Sequence, residues 1–135
     1  MVGTFTLFRG TMAEILIIED DAMMRAYSSS ILQLAGHRVS EAEDGTKGLA
    51  RLKLGLIELV ITDLVMPKQK DIETITAIRA EFPRVKVLVV SGSPDSDAYR
   101  NATALLGPRR VLPKPFTSRQ LTDRVDEALF GEGGA

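Results

Sequence analysis

Leu59-Val60-Ile61-Thr62-Asp63-Leu64-Val65-Met66-Pro67 is the stretch on which the reading of this chain turns. Its first four residues are apolar or β-branched and run unbroken into an aspartate. A continuous apolar run, without alternation, marks a strand covered on both faces, as in a parallel sheet. The same device recurs on either side. Ile15-Leu16-Ile17-Ile18 runs into Glu19-Asp20, Val87-Leu88-Val89-Val90 runs into Ser91-Gly92, and the short Val111-Leu112 leads to Lys114-Pro115.

Between these runs the apolar spacing changes to a helical period. Met24, Tyr27, Ile31, Leu32 and Leu34 predict the inner face of a first helix, with Asp21 as its cap and Gly36 after its end. Arg38 to Ala42 is a weaker second strand. Asp44-Gly45 makes a turn, and Gly48, Leu49 and Leu52 predict a short second helix before Gly55. Ile72, Ile75, Ala77 and Ile78 supply a third helix with Asp71 as N-cap. Ala98, Ala102 and Leu105 predict a fourth that buries little. Thr117 and Gln120 form a capping box for the last helix, which buries Leu121, Val125, Ala128 and Leu129. Five strand–helix units in succession give the α/β class.

Composition narrows the function. At 135 residues there is room for one domain with a full core. The expected organisation is an N-terminal extension over 1–13, a domain over 14–130 and a glycine-rich tail over 131–135. Met12 also reads as a possible start. A net charge of −1 gives no case for nucleic-acid binding, which usually shows a basic face. Cysteine is absent, which excludes disulfides and thiolate metal sites and permits a reducing cytoplasm. The apolar runs are too short to span a bilayer, and no secretory signal is legible.

In a parallel α/β sheet the C-terminal ends of the strands share one rim, where ligands bind. Glu19, Asp20, Asp63, Ser91 and Lys114 would meet there. Three carboxylates carry a formal −3 and raise one another's pKa values by repulsion. A divalent cation and Lys114 bring that sum to zero. Hard oxygen donors suit Mg²⁺, which keeps several waters and pairs readily with phosphoryl oxygen.

With this order and these strand ends in place, the chain resembles a response-regulator receiver domain of two-component signalling. The motifs are Ile-Ile-Glu-Asp-Asp (17–21), Val-Ile-Thr-Asp-Leu-Val-Met-Pro (60–67), Val-Val-Ser-Gly (89–92) and Leu-Pro-Lys-Pro-Phe (112–116). The resemblance covers about residues 14–130. It implies a flavodoxin-like, doubly wound, five-stranded parallel sheet in the order 2-1-3-4-5 with five helices. It implies Asp63 as phospho-acceptor, and Glu19, Asp20, Asp63 and the backbone carbonyl of Val65 as Mg²⁺ ligands. Ser91 matches the switch hydroxyl, Lys114 the family's lysine, and the Lys114–Pro115 bond is cis in relatives.

The function so implied is a stand-alone, cytoplasmic response regulator rather than a conventional enzyme. A sensor histidine kinase or histidine phosphotransfer protein supplies the phosphoryl group. An output protein is met through the face of helix four, strand five and helix five, with neither nucleic acid nor membrane as partner. A phosphorelay intermediate, a receiver cut from a longer protein and a phosphorylation-independent module stand as alternatives. A haloacid-dehalogenase-like phosphohydrolase wants a second aspartate two residues after the first, where Val65 stands. An apolar Val65, with Ser93 near the same route, orients no water, so slow self-dephosphorylation is expected; an unchanged lifetime in Val65→Asn would sink that expectation.

Simpler roles are assigned elsewhere. Asp21 is read as a cap, His37 as a solvated loop residue, Met23 and Met24 as packing at the helix start, and Ser28 to Ser30 as a polar helix face. Arg109-Arg110 is read as a solvated step. The resemblance is incomplete at two places. Lys70-Asp71 stands where relatives often carry Asp-Gly. Val111 stands where relatives often carry the aromatic ring that couples phosphorylation to output.

Overall fold

A computed structural model describes residues 12–64 and 69–131. The expected N-terminal extension over residues 1–11, the tail over 132–135 and the Val65 carbonyl lie outside the described residues. Five strands, β1 (Glu14–Ile18), β2 (Arg38–Ala42), β3 (Leu59–Leu64), β4 (Lys86–Ser91) and β5 (Val111–Pro113), alternate with five helices. The helices are α1 (Ala22–Leu34), α2 (Gly45–Lys53), α3 (Gln69–Glu81), α4 (Asp97–Leu106) and α5 (Ser118–Phe130). A one-turn 3₁₀ segment, Pro108–Arg110, precedes β5. All strand pairs are parallel, in the order β2-β1-β3-β4-β5. That is the order the resemblance implies.

Each apolar strand serves two cores, because successive side chains point to opposite faces. Ile15, Ile17, Leu59, Ile61, Leu88 and Val90 face one layer, where Ile31 and Leu32 of α1 and Leu121 and Val125 of α5 cover them. Leu16, Ile18, Val60, Val87 and Val89 face the other, under Leu52 of α2, Ile75 and Ile78 of α3, and Ala98 and Ala102 of α4. The unbroken apolar run of β1 is thus two interleaved half-strands, one for each core.

Two caps follow the sequence: Asp21 accepts hydrogen bonds from the N–H groups of Met23 and Met24, and Thr117 and Gln120 form the reciprocal box. Asp44, expected in a turn with Gly45, instead caps α2, accepting from the Lys47 N–H, and Gly45 is the first residue of that helix. Gly36 has a φ of 101°, the left-handed turn that ends α1. As expected, α4 buries little besides Ala98 and Ala102.

Several expectations fail. Helix α3 begins at Gln69, so Asp71 stands inside it and is not its cap. His37 is buried, and its Nδ1 accepts the Ala13 N–H at 3.0 Å. A solvated loop residue would make no such bond. Ser28 and Ser29 are buried because they share a helical face with Ile31 and Leu32; Ser30 alone is exposed. Leu34, three residues past Ile31 but on the outer side of the last turn, is exposed, and so is Met23. Only Met24 of the methionine pair packs on the core.

Candidate functional site

The rim is built by strand register. Ile18 of β1 lies opposite both Ala42 of β2 and Thr62 of β3, so the residues next in sequence, Glu19 just past β1 and Asp63 near the end of β3, stand at the same level. Leu64 of β3 is level with Ser91 of β4, and Ser91 with Pro113 of β5. Lys114 therefore follows at the same rim, its N–H donating to the Ser91 carbonyl at 2.8 Å. The Lys114–Pro115 bond is cis.

Glu19, Asp20 and Asp63 each bring a carboxylate oxygen within 4.8 Å of the others. Lys114 Nζ lies 3.0 Å from Asp63 Oδ1 and 4.0 Å from Glu19 Oε1. The Asp63 side chain is only 6% exposed, and beyond that ion pair neither of its oxygens meets a hydrogen-bond donor. Ser91 is fully buried, and its hydroxyl also has no partner. Unsatisfied buried polar atoms are scarce in folded proteins and ask for a reason. Here two kinds converge on one rim.

Glu19 is pushed up from 4.5 to about 7. Burial is the main cause; the Asp21 N–H, donating to Oε2 at 3.0 Å, and Lys114 pull it down, while Asp63 and Asp20 push it up. A carboxylate that resists ionisation beside two others marks a rim short of positive charge. The donor set fits Mg²⁺: oxygen ligands only, net negative, with unsatisfied lone pairs on Asp63.

The five described residues expected at the site are all on this rim: Glu19, Asp20, Asp63, Ser91 and Lys114. Asp20 is exposed, as a ligand open to solvent can be. Ser93 lies in the exposed loop after β4, its hydroxyl donating to Asp95 at 3.1 Å. Sequence reasoning missed Arg25. Its Nη1 donates to the Glu19 carbonyl at 2.7 Å and its Nε pairs with Glu41 at 3.3 Å. It clamps the end of β1 against α1 and β2. Position four after the Asp21 cap was the available signal. Tyr27 was read as core, yet its hydroxyl reaches the Phe116 carbonyl at 3.4 Å and the rings lie 5.9 Å apart. It thereby braces the loop after Lys114.

The profile of the family described as the response regulator receiver domain matches residues 15–126. The response regulator receiver protein CpdR of Brucella abortus is 33% identical over 125 residues, covering 88% of this chain and 98% of that protein. The sensor kinase CckA of the same organism is also 33% identical, but the chain spans only 12% of its length. Among solved structures, the chemotaxis protein CheY4 of Vibrio cholerae is similar with a TM-score of 0.75 at 27% identity, covering 87% of this chain and 99% of that one.

Proposed function

The chain belongs to the response regulator receiver domain family, and from that premise we propose that it accepts a phosphoryl group on Asp63 and signals the change to a protein partner. The observation that carries this reading is the Asp63 carboxylate itself. It is buried, paired with Lys114 and otherwise unbonded, with Glu19 and Asp20 alongside.

One Asp63 oxygen forms a bond to phosphorus as the bond from phosphorus to the donor's leaving atom breaks, giving an acyl phosphate. Such transfer is catalysed mainly by positioning and charge neutralisation. Lys114, already 3.0 Å from Asp63, supplies one positive charge to the phosphoryl oxygens. Glu19, Asp20, Asp63 and the Val65 carbonyl would hold Mg²⁺, which when bound neutralises the rim and the incoming phosphate. Ser91 brings an unbonded hydroxyl on the end of β4, able to donate to a phosphoryl oxygen. That donation would draw the loop after β4 inward and change the face of α4, β5 and α5, a local charge event read by a larger element.

A histidine kinase or a histidine phosphotransfer protein is the donor in this reading, and the setting is the cytoplasm. The match to part of a sensor kinase keeps open that the chain serves within a longer assembly. Among the described residues no helix is long and apolar enough to cross a membrane. A second reading, a binding module indifferent to phosphorylation, draws on Val111. It is fully buried in the core under α4, and this position itself carries no aromatic ring to turn inward.

Incubation with acetyl phosphate, followed by intact mass measurement, separates the two. A phosphoryl increment that requires Mg²⁺ and vanishes in Asp63→Asn is expected. An increment that persists in Asp63→Asn, or none in the wild type, would overturn the phospho-acceptor assignment.

A further inference from the structure

At the rim opposite Asp63, where β4 and β5 begin, lies a cleft of about 600 Å³. Four cations line it: Arg79 from the last turn of α3, Lys86 at the start of β4, and Arg109 and Arg110 from the 3₁₀ segment. No carboxylate is among its described lining residues. Val85, Val87 and Leu106 give it an apolar floor and wall. The cleft takes no part in the chemistry at Asp63.

The bland account is that these cations neutralise the two helix ends that meet here. Each helix C-terminus carries about half a negative charge. Arg79 does serve one of them, donating to the Leu105 carbonyl at 3.2 Å. Lys86 and Arg110 add positive charge beyond what Arg79 supplies there, even so. Neither the Lys86 ammonium nor the Arg110 guanidinium makes a hydrogen bond or ion pair with a described residue. Glu81, two residues after Arg79, and Glu58, whose carbonyl accepts the Lys86 N–H at 3.0 Å, lie outside the lining.

The frame around these cations is firmly held. Arg124 of α5 donates to the carbonyls of Pro108 and Val111, and the Arg110 N–H donates to the Gly107 carbonyl. Gly107, at a φ of 90°, turns the chain out of α4 and into this segment. The cations therefore sit on short, braced elements rather than on a loose loop.

We propose that this cleft is a binding site for a small organic polyphosphate, a nucleotide being the type case. Its volume lies within the range of small-molecule sites, and its mixture of apolar wall with few convergent charges is theirs too. Guanidinium and ammonium groups are the usual partners of phosphate oxygens. The apolar wall suits a flat base or similar body attached to them. A protein partner offering acidic residues would want a broad surface, whereas this is a recess between four element ends.

The test is titration calorimetry of the full chain with ATP, and separately with pyrophosphate, in EDTA so that no metal bridges the anions to the acidic rim. Saturable one-to-one binding of ATP below about 1 mM is expected, weakened at least about tenfold in the double variant Lys86→Ala/Arg110→Ala. Pyrophosphate, lacking the apolar body, should bind more weakly than ATP. Circular dichroism and acetyl-phosphate labelling of Asp63 should be unchanged in that variant, which checks its fold, and Lys86→Arg should retain binding. No saturation by ATP, or binding undiminished in the folded double variant, overturns the proposal. Binding of an oligoglutamate peptide but not of ATP overturns it in favour of an acidic protein partner.

Discussion

Glu19 shows at the scale of one residue what the rim costs the protein. It is nearly out of solvent, and burial pushes its carboxyl from 4.5 up to about 7. A group whose pKa is raised by folding contributes stability that is complete below its unfolded value and is lost as pH rises through its folded value. The metal-free protein should therefore lose stability between about pH 4.5 and 7 from this source. Glu19→Gln, which stays neutral, should remove that slope. Mg²⁺ needs the carboxylate ionised, so its thermal stabilisation of the wild type should grow as pH rises past about 7 and be much smaller in Glu19→Gln. Melting temperatures at several pH values, with and without Mg²⁺, check both statements. An identical pH slope in wild type and variant would overturn the first. The identity of Glu19 as a rim acid was legible in the sequence, because it follows an apolar strand. Its resistance to ionisation was not, because that depends on how deeply the fold buries it and on Asp63, far away in the chain.

Among the elements, the connection from α2 to β3 carries visible strain. Leu56 has a φ of 78° and is exposed, following Gly55 at 86°. A left-handed backbone costs a residue with a Cβ about 1–2 kcal/mol, and an exposed leucine gains no packing in return. Leu56→Gly should raise stability by about 0.5–1 kcal/mol, less than the full strain because glycine also loosens the unfolded chain. Chemical denaturation measures this, and a lower midpoint in the variant would show that the strain is illusory. The sequence offered Gly55 as the end of a helix but no sign that its neighbour shares the turn. Element types and order were legible because periodicity and caps are local properties. Boundaries were less so: the Asp71 cap fails since Gln69 and Lys70 already continue α3. The buried Ser28 and Ser29 were misread for a related reason. Small polar residues on a helical face show no apolar period, although they share that face with Ile31 and Leu32.

Across the whole molecule, His37 ties together parts that are distant in sequence. Its Nδ1 accepts from Ala13 at the start of β1, and Asp126 of α5 and Glu58 before β3 act on it electrostatically. Burial lowers its pKa below 6.5 against the pull of those two acids, and Asp126 is itself raised, chiefly by burial. A base depressed by folding contributes stability above its unfolded pKa that is lost as pH falls through its folded value. Acid below about pH 6.5 should thus destabilise the protein through His37, in the opposite direction to Glu19, and the two variants separate the effects. His37→Ala should lose about 1–3 kcal/mol near neutral pH by leaving the Ala13 N–H buried without an acceptor, and should lose the acid sensitivity as well. Equal stability at pH 7 would overturn this assignment. What the sequence by itself determined was the α/β class, the five strand–helix units and the acids, hydroxyl and lysine at the strand ends, since hydrophobic period and motif are written along the chain. Only the tertiary structure decided that Lys114 sits against Asp63, that Arg25 and Tyr27 brace the rim, that His37 is buried and that four cations from three elements gather at the opposite end. Those are meetings between residues remote in sequence. Register and layer packing create them, and no local pattern records them.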